Sequence, residues 1–290
     1  MHPVDNDSET TGSPVLKGTT TIVTGAGRGI GKAIALAFAQ EGANVVCVSR
    51  TASEIEAVVS QIESFTPGSG IAVIADISSS TSAKLIVETA VQRFGPVSVL
   101  INNAGIDKIN SVEHERDFES WWRVLEVNLR GPAALIHQVL PSMLSRGTGV
   151  IISLGSRNAA IDFPFMTAYS AAKTALLRFH QCLEQEIQGR GVLHFYLQPG
   201  DVATALTHQP GVIDLDTVEK VPALQEMLES TVGRSTTSPY HVADICLQLA
   251  VNENSRHLSG RYVDSERDLQ RIIQEVRADP SLYRLTMMGI

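Results

Sequence analysis

The sequence has few cysteines and no long apolar run. Its three cysteines, Cys47, Cys182 and Cys246, form no C-x-x-C pair, and each lies in an apolar segment. We therefore predict small buried thiols in a reducing compartment, without a disulfide or zinc framework. The longest apolar runs, such as residues 71–75, are far shorter than the roughly 20 residues that cross a bilayer, so no membrane-spanning segment is expected.

Positive charge is scarce as well. Lysine and arginine number 23 against 31 acidic residues, which gives a formal net charge of −8, and no basic run interrupts this balance. The charge distribution argues against nucleic-acid binding. Residues 1–14 contain three acids, no lysine or arginine and no apolar stretch, so they do not resemble a signal or transit peptide. We expect a cytoplasmic protein in which residues 1–15 are a flexible tail.

What the sequence does have is a regular alternation of β-branched runs and helical patterns. Its 290 residues are enough for one large α/β domain, and its apolar fraction of 43% is enough for a core. The predicted strands are residues 20–24, 45–48, 71–75, 97–101, 150–153, 193–197 and 261–263. The predicted helices are residues 30–38, 52–64, 80–93, 118–145 with a bend at Gly131-Pro132, 167–188, 239–251 and 269–276. Such alternation is typical of a parallel sheet with crossover helices.

The alternation fails after Pro199-Gly200. Residues 201–237 contain two prolines and two glycines, and only a short helix at 223–229 is expected there. A long irregular segment inside a compact domain is usually a lid or a binding loop. We predict such a substrate lid over residues 201–237.

A glycine-rich turn, TGAGRGIG at residues 24–31, follows the first strand and begins the first helix. Glycines in such a turn allow left-handed backbone angles and the approach of a pyrophosphate to the amides of the helix N-terminus. The spacing differs from G-x-G-x-x-G because Ile30 occupies the third glycine position; it matches T-G-x-x-x-G-I-G through Gly25, Gly29 and Gly31. By itself the turn supports either phosphate binding or a simple change of chain direction.

The end of the second strand carries the pair Ser49-Arg50. A cofactor without a 2′-phosphate favours a carboxylate at this position, whereas a guanidinium binds the 2′-phosphate through two bonds. Arg28, within the glycine turn, supplies a second positive charge. The sequence therefore favours NADP(H), the alternative being that Arg50 is a surface charge at the start of a helix.

Other polar or small residues follow the carboxyl ends of the remaining strands. They are Asp76 after the third, Asn102, Ala104 and Gly105 after the fourth, Ser156 after the fifth and Pro199-Gly200 after the sixth. Ligands of open α/β sheets bind at this edge. We expect the carboxylate of Asp76 to accept from the adenine amino group, and the backbone near Asn102 to lie close to the cofactor ribose. Taken singly, each is an ordinary turn residue at a strand end.

Tyr169 and Lys173 stand four residues apart in YSAAK, so they share one face of a helix. A free tyrosine ionises near pH 10, and lowering its pKa by about 3 units requires about 4 kcal/mol. An ammonium about 4 Å away at an effective dielectric near 20 supplies energy of that order. The pair therefore suits acid–base catalysis, with Ser156 placed to hydrogen-bond a substrate carbonyl. Without this context a tyrosine and a lysine on a helix face are ordinary interface or solvent residues.

Asn128 is a polar residue inside an otherwise apolar helical run, EVNLRG, where asparagine costs helix stability. Two explanations are open. The side chain either makes a hydrogen bond within the helix or holds a water that links Lys173 to solvent.

These motifs, in this order and spacing, resemble those of the short-chain dehydrogenase/reductase family, in its single-domain branch. The match covers about residues 16–265 and comprises TGAGRGIG, Asp76, NNAG at 102–105, Asn128, Ser156, YSAAK and PGDVAT at 199–204. The family implies a Rossmann-like, doubly wound sheet of seven parallel strands flanked by helices in one α/β domain, and hydride transfer at a nicotinamide. It also implies a catalytic tetrad of Asn128, Ser156, Tyr169 and Lys173, and a homotetramer or homodimer that uses the helices holding Asn128 and Tyr169.

The resemblance implies further cofactor contacts. Lys173 is expected to bridge the ribose hydroxyls, Val202 and Thr204 to touch the carboxamide, and Ser49-Arg50 resembles NADP-preferring members. The complete set predicted to bind the cofactor is Gly25, Arg28, Gly29, Ile30, Gly31, Ser49, Arg50, Asp76, Ile77, Asn102, Ala104, Gly105, Asn128, Tyr169, Lys173, Pro199, Gly200, Val202 and Thr204. No metal site is predicted, because His114-Glu115 is followed by Phe118 where H-E-x-x-H requires histidine.

Some positions depart from the family pattern. Ser153 and Gly155 stand where asparagine and serine are common, and we expect this change to loosen the pocket wall. Residues 266–290 lie beyond the core as a helical extension. The residues between the serine and the tyrosine that are expected to shape the substrate pocket are Arg157, Asn158, Phe163, Phe165 and Met166.

The sequence thus predicts an NADP(H)-dependent oxidoreductase that interconverts a small-molecule ketone and a secondary alcohol. Ser156 polarises the carbonyl, the nicotinamide delivers hydride and Tyr169 exchanges the proton. Two alternatives stay open: an isomerase, dehydratase or cyclase that retains its cofactor, and a cofactor-sensing binding module without catalysis.

Overall fold

A computed structural model describes residues 14–202, 211–231 and 237–286. Within these residues the chain forms one sheet of seven strands in the order β3-β2-β1-β4-β5-β6-β7, and every neighbouring pair is parallel. The strands are β1 (Thr20–Thr24), β2 (Asn44–Ser49), β3 (Ser69–Ile74), β4 (Val97–Asn102), β5 (Gly149–Leu154), β6 (Val192–Gln198) and β7 (Tyr262–Asp264). The predicted doubly wound parallel sheet is confirmed, and the observed strand ends lie within two residues of the predicted ones.

Helices cover both faces of this sheet. The α-helices of the described residues are α1 (Gly29–Gln40), α2 (Ala52–Phe65), α3 (Ser82–Phe94), α4 (Phe118–Leu125), α5 (Gly131–Arg146), α6 (Thr167–Ile187), α7 (Leu215–Lys220), α8 (Pro222–Thr231), α9 (Pro239–Val251) and α10 (Leu269–Ala278). In this described part of the chain, no helix combines the length and the apolar character that a bilayer crossing needs.

The predicted helix over residues 118–145 is interrupted. α4 continues into a π-helical turn, Glu126–Arg130, before α5 begins. Pro132 lies in the first turn of α5, directly after this π-helical turn. π-helical turns are rare and often lie at functional sites. Asn128 belongs to this turn and is completely buried.

The core has two halves because adjacent residues of β1 point to opposite faces of the sheet. Val23 packs in a cluster with Ile34 and Phe38 of α1, which extends to α2, α9 and α10. Ile22 packs in a second cluster with residues of α3, α5 and α6. The central strands are therefore buried on both faces, which explains their continuous apolar sequences.

Two of the three cysteines are buried as predicted. Cys47 and Cys246 lie in the core, and burial raises the pKa of the Cys47 thiol to about 12. Cys182 is exposed, so its predicted burial is wrong. It lies on α6 between the buried residues Gln181 and Leu183, at a position that turns away from the sheet.

The segment predicted as a lid, residues 201–237, is partly helical where the structure describes it. It contains α7 and α8, and α8 is longer than the predicted helix at 223–229. The loop after β4 holds this segment: the N–H of Ile109 donates to the carbonyl oxygen of Val212 at 2.8 Å, and Ile109 forms a parallel bridge with Ile213.

Both ends of the described chain pack against the sheet and its helices. Leu16 is buried, and its N–H donates to the carbonyl oxygen of Glu41 at 2.9 Å; residues 1–13 of the predicted tail lie outside the described residues. At the other end, α10 packs against α9 in the same core cluster. The N–H of Tyr262 in β7 donates to the carbonyl oxygen of Tyr283 at 2.9 Å, so the extension continues along the last strand.

Candidate active site

The site lies at the carboxyl edge of the sheet, where the strand order changes direction at β1 and β4. The glycine turn leaves β1 there and runs directly into α1. Gly25 and Gly29 have φ angles of 67° and 53°, in the left-handed region that favours glycine. A Cβ on Gly31 would lie 2.1 Å from the carbonyl oxygen of Gly25. The turn therefore needs glycine at all three predicted positions.

Asn103 fixes this turn to the end of β4. Its Nδ2 donates to the carbonyl oxygens of Thr24 and Gly25 at 2.8 and 3.2 Å, and its backbone N–H donates to the Thr24 hydroxyl at 3.0 Å. Asn102 was predicted to lie at the cofactor, whereas Asn103 was not singled out. The side chain of Asn102 points into the sheet instead, where Nδ2 donates to Oγ of Ser153 at 3.3 Å.

The turn opens on a cleft of about 420 Å³. Its lining includes these residues predicted to bind the cofactor: Gly25, Arg28, Gly29, Ile30, Ser49, Arg50, Asp76, Ile77, Ala104, Gly105, Tyr169, Lys173 and Pro199. Gly31, Asn102 and Asn128 are buried behind this lining. No side chain caps the first amides of α1, which leaves them available to an anion. Since the turn carries glycine where a Cβ would collide with backbone, its residues fit a dinucleotide pyrophosphate.

The two arginines predicted to bind a 2′-phosphate line this cleft, and an acid accompanies them. Arg28 follows the glycines and Arg50 follows β2. Glu54 of α2 also lines the cleft, and its Oε1 lies 3.5 Å from Nη1 of Arg28. Both side chains are partly exposed, so this ion pair is weak. Glu54 was missed because a glutamate in the first turn of a helix is common and carries no signal of its own.

Asp76 lines the cleft, and both oxygens of its carboxylate already have partners within the protein. Oδ1 accepts from the N–H and the hydroxyl of Ser78 at 3.0 and 2.7 Å, and Oδ2 pairs with Arg123 of α4. Partial burial raises the pKa of this carboxyl, but the bonds from Ser78 and the charge of Arg123 outweigh it and hold the pKa below its usual value. The predicted bond to an adenine amino group would add to these contacts and stays a prediction.

β5 and α6 bring the predicted catalytic residues together. Ser156 follows β5, while Tyr169 and Lys173 lie one turn apart on α6. The Ser156 hydroxyl donates to Oδ1 of Asn158 at 3.2 Å, and Nζ of Lys173 lies 5.4 Å from the centroid of the Tyr169 ring. Nζ also donates to the carbonyl oxygen of Leu154 at 2.7 Å. Tyr169 and Lys173 are only 7% and 4% exposed, so their charges are poorly screened by solvent.

The electrostatics of the phenol differ from the sequence argument. Burial and the carboxylate of Asp107 raise the pKa of Tyr169 above its usual value, while the hydrogen bond with Ser156 lowers it. Burial lowers the pKa of Lys173 to about 8, against the attraction of Asp107. Burial and Asp107 act against the expected acidifying effect of Lys173 on this phenol, and that effect stays a prediction. The available signal for Asp107 was an acid two residues after the NNAG motif at a strand end.

Asn128 makes the hydrogen bonds that its position in a π-helical turn permits. Its Nδ2 donates to the carbonyl oxygens of Ile106 and Val124 at 2.7 and 2.9 Å. Its Oδ1 is buried without a hydrogen-bond partner among the described residues, and a Cβ on Gly105 would lie 2.8 Å from this oxygen. The bond within the helix, one of the two explanations, is thus present. The water link to Lys173 stays a prediction.

The wall around Ser156 is tight, contrary to expectation. A Cβ on Gly155 would lie 2.1 Å from the ring of Tyr196, a completely buried residue of β6. The Tyr196 hydroxyl accepts from the N–H of Ser156 at 2.8 Å and donates to its carbonyl oxygen at 3.1 Å. Gly155 therefore makes room for a tyrosine that fixes the backbone of Ser156.

Ser153 belongs to a buried chain of hydrogen bonds behind β4 and β5. Its Oγ lies 2.9 Å from Nε2 of His180, whose Nδ1 lies 3.0 Å from Nδ1 of His194. Nε2 of His194 lies 2.9 Å from Oε2 of Glu184. With His194 neutral and its proton on Nε2, facing this carboxylate, His180 donates from Nδ1 and Ser153 donates its hydroxyl proton to Nε2 of His180. Burial holds the pKa of His180 well below its usual value, which keeps this imidazole neutral.

The loop after β6 carries Pro199, Gly200 and Val202. Gly200 has a φ of 80°, and a Cβ there would lie 2.5 Å from the hydroxyl of Thr237. Val202 forms a bridge with Thr237, so the two ends of the lid segment meet beside the cleft. The contact of Val202 with a carboxamide stays a prediction, and Thr204 lies outside the described residues.

Arg157, which was expected to shape the substrate pocket, forms ion pairs with two other loops. Its Nη2 lies 3.3 Å from Oδ1 of Asp201 and 3.2 Å from Oε2 of Glu266. It therefore ties the loop after β5 to the base of the lid and to the segment after β7. Asn158 lies closer to the chemistry, since its N–H donates to the Ser156 hydroxyl at 3.2 Å.

The side of Tyr169 next to the lid is apolar. Its buried neighbours in one cluster are Ile109, Val124, Met166, Ala168, Val212 and Leu224, with Phe163 and Phe165 packed against them. Phe165 has a φ of 64°, a rare angle for a bulky residue, and its carbonyl oxygen accepts from the N–H of Asn110 at 2.9 Å. The cluster favours an apolar ligand. Among the described residues, no group of three or more His, Cys, Asp or Glu is placed to hold a metal ion.

The fold and the site together define a class of protein. A doubly wound parallel sheet with a glycine turn where its strand order changes direction is the architecture of a dinucleotide-binding α/β protein. The family model described as short chain dehydrogenase matches residues 19–211. The chain belongs to the short-chain dehydrogenase family.

Curated relatives cover most of the chain. It is 37% identical over 266 residues to a short chain dehydrogenase of Pseudocercospora fijiensis, which covers 91% of this chain and 85% of the relative. It is 29% identical over 248 residues to the 3-oxoacyl-acyl-carrier-protein reductase FabG of Thermotoga maritima, which covers 86% of this chain and 96% of that protein.

Solved structures show the same similarity. A 7α-hydroxysteroid dehydrogenase complexed with NADH and 7-oxo glycochenodeoxycholic acid matches with a TM-score of 0.73 and 29% identity, over 87% of this chain and 94% of the other. A putative NAD(P) dependent gluconate 5-dehydrogenase from Beutenbergia cavernae with bound NADP matches with a TM-score of 0.72 and 30% identity, over 87% and 97%. These relatives support NAD(P)-dependent oxidoreduction as the chemistry of this chain.

Proposed function

We propose that this chain is an NADP(H)-dependent oxidoreductase that interconverts a ketone and a secondary alcohol. The observation that carries the proposal is the placement of Tyr169 and Lys173, which are buried side by side and line the same cleft as the glycine turn. A hydride transfer coupled to a proton transfer requires a proton donor and a dinucleotide cradle in one cleft.

Each protein group has a distinct role in ketone reduction. Bound cofactor supplies a hydride to the carbonyl carbon. The Ser156 hydroxyl, on a backbone fixed by Tyr196, donates a hydrogen bond to the carbonyl oxygen. The phenol of Tyr169 gives its proton to that oxygen as negative charge develops there. The phenol is protonated at neutral pH, because a tyrosine ionises near pH 10 and burial raises its pKa further.

Preference for NADP(H) over NAD(H) rests on the two arginines of the cleft. Arg50 follows β2 directly, where a carboxylate would be expected to select NAD(H). Arg28 lines the same cleft, although Glu54 offsets part of its charge. We assign the 2′-phosphate to Arg50, with support from Arg28.

The proposed substrate is a medium-sized, largely apolar ketone. The apolar cluster that contains Tyr169 includes Val212 and Leu224 of the lid segment and Met166 before α6. The names of two relatives refer to oxo or hydroxy compounds: the 3-oxoacyl reductase and the hydroxysteroid dehydrogenase. Tetralone, decalone and acetophenone are suitable probes of this class.

Tyr169→Phe tests the proton donor. We expect the variant to lose about 10²- to 10⁴-fold in kcat for ketone reduction, because the acid is removed while the cleft is retained. NADPH consumption with the ketone probes measures turnover, and fluorescence titration measures NADPH binding, which should stay close to that of the wild type.

Tyr240→Phe is the matched control, since Tyr240 is exposed on α9 and has no place in the cleft. It should keep full activity. Undiminished turnover of Tyr169→Phe would remove the proposed acid from the mechanism.

A further inference from the structure

The backbone of Ser156 lies just beyond the hydrogen bonds that β5 makes with β6. The pairing of the two strands ends at Leu154 and Leu197, and the N–H of Gly155 still donates to the carbonyl oxygen of Leu197 at 2.6 Å. The next N–H, that of Ser156, donates to a side chain instead, the hydroxyl of Tyr196 at 2.8 Å. Ser156 is therefore the first residue after β5 whose N–H the sheet backbone no longer holds.

The hydroxyl of Tyr196 contacts both backbone polar groups of Ser156. It accepts from the N–H and donates to the carbonyl oxygen at 3.1 Å, and this oxygen also accepts from the N–H of Ala159 at 3.2 Å. A phenolic hydroxyl has one proton to donate and lone pairs that accept, so both bonds can form at the same time. Ser156 has an extended backbone at the start of a 3₁₀ turn, and Tyr196 ties this backbone to β6.

The ring of Tyr196 is fixed by its surroundings. The residue is completely buried, and its ring stacks on that of Tyr262 in β7 with the centroids 5.8 Å apart. Leu176 and Leu177 of α6 and Leu285 of the C-terminal extension belong to the same apolar cluster. The glycine before the serine leaves room for the ring. The hydroxyl is therefore held in one place, from which it reaches the serine backbone.

The side chain of Ser156 has no such tie to the sheet. Its Oγ accepts from the N–H of Asn158 and donates to Oδ1 of the same residue, both at 3.2 Å. Asn158 belongs to the 3₁₀ turn that follows the serine, so these bonds move with the loop. In the proposed reaction the serine proton turns from Asn158 to the substrate carbonyl. The direction in which it can turn depends on how the backbone of Ser156 is held.

We propose that Tyr196 is a positioning residue of the active site: its hydroxyl holds the backbone of Ser156 so that the serine hydroxyl is oriented to donate to a substrate carbonyl. This inference deepens the proposed function and rests on it. Tyr196 is not among the residues that line the cleft, so it acts through Ser156. Because a catalytic hydrogen bond depends on placement to within about 1 Å, loss of the two bonds to the backbone should slow the chemical step.

Tyr196→Phe is the direct test, because it removes the hydroxyl and keeps the ring. With tetralone and NADPH, we expect kcat to fall about tenfold to hundredfold, as small displacements of a catalytic group do. The Kd for NADPH, measured by fluorescence titration, should stay close to that of the wild type. Tyr262→Phe is the matched control. The hydrogen bonds of Ser156 within the described part of the chain do not include the Tyr262 hydroxyl, so this variant should keep the wild-type kcat.

A double-mutant cycle separates positioning from general stability. If Tyr196 acts through the serine hydroxyl, adding Tyr196→Phe to Ser156→Ala should change kcat by less than about twofold. An equal fall of kcat in the wild-type and Ser156→Ala backgrounds would indicate a merely structural role and would overturn the proposal. An unchanged kcat in folded Tyr196→Phe would overturn it as well.

Hydrogen exchange at the Ser156 amide gives a readout that needs no turnover. The sequence has three Gly-Ser pairs, at 12–13, 68–69 and 155–156, so labelling with ¹³C′-glycine and ¹⁵N-serine selects three amide signals by NMR. The signal of Ser156 is assigned by its loss in Ser156→Ala. We expect this amide to exchange about tenfold faster in Tyr196→Phe, because its acceptor is lost, while the other two signals exchange as in the wild type.

The exchange measurement also keeps the two proposals apart. A wild-type protein that reduces no ketone would refute the proposed function, while exchange at the Ser156 amide still decides whether Tyr196 holds this backbone. If Tyr196→Phe fails to fold by circular dichroism, the wild-type protein alone gives the answer. Slow exchange of the Ser156 amide is expected there, and exchange at the rate of an unprotected amide would overturn the proposal.

Discussion

Among single residues, Gly155 and Tyr196 show what a family pattern leaves undetermined. The sequence identified Gly155 as a departure but predicted a looser wall. The ring of Tyr196 occupies the space that a side chain at Gly155 would fill. Tyr196 lies on β6, which pairs with β5, so the shape of the pocket wall depends on a contact between two strands. Asn103 was missed for the same reason: its partners lie on β1 and in the glycine turn.

The residues of the glycine turn and of YSAAK were predictable because their geometry is local. A tight turn needs glycine wherever φ is positive, and a spacing of four places two side chains on one helix face. The pKa of Tyr169 was not predictable from that spacing, since burial and a carboxylate from another element determine its direction.

Arg50→Ala tests the assignment of the 2′-phosphate. Loss of charge-assisted hydrogen bonds of about 1.5–3 kcal/mol should raise the Kd for NADPH about tenfold to hundredfold, with little effect on NADH. Fluorescence titration with both cofactors measures the difference. Arg190→Ala, at an exposed turn before β6, is the matched control. An equal rise in the Kd values for NADPH and NADH would show that Arg50 does not bind the 2′-phosphate.

At the scale of elements, strands and helices were predicted well where burial is uniform along them. Parallel strands covered on both faces are continuously apolar, and the helices between them have a regular apolar face. The π-helical turn Glu126–Arg130 was not predicted, because the amide of Asn128 in it also binds the carbonyl oxygen of Ile106 on another loop. The lid helices were predicted only in part, since their apolar partners lie on α4 and before α6.

The chain of hydrogen bonds between β5, β6 and α6 supplies a test of packing energetics. Ser153→Ala removes the donor to Nε2 of completely buried His180, so we expect the free energy of unfolding to fall by about 1–3 kcal/mol. Urea denaturation followed by circular dichroism measures the change. Ser142→Ala, on the exposed side of α5, should change stability far less. Equal stability of the two variants would contradict the stabilising contribution of this buried hydrogen bond.

For the whole molecule, the strand order explains why distant motifs meet. β1 and β4 are neighbours although α1, β2, α2, β3 and α3 separate them in the chain, and this places the glycine turn beside the NNAG motif. β5 follows on the far side of β4 and delivers Ser156 to the same edge. The sequence predicted this convergence from parallel strands alone, whereas the packing of the lid over Tyr169 required the structure.

Transfer of deuterium from NADPH to a ketone tests the central claim most directly. The wild-type protein is mixed with tetralone and with each stereoisomer of NADPH deuterated at C4 of the nicotinamide, and the product is analysed by mass spectrometry. We predict that one stereoisomer yields an alcohol carrying one deuterium at the former carbonyl carbon, with equal oxidation of NADPH. Product formed without deuterium from either stereoisomer, or without oxidation of NADPH, would contradict hydride transfer and favour chemistry in which the cofactor is retained.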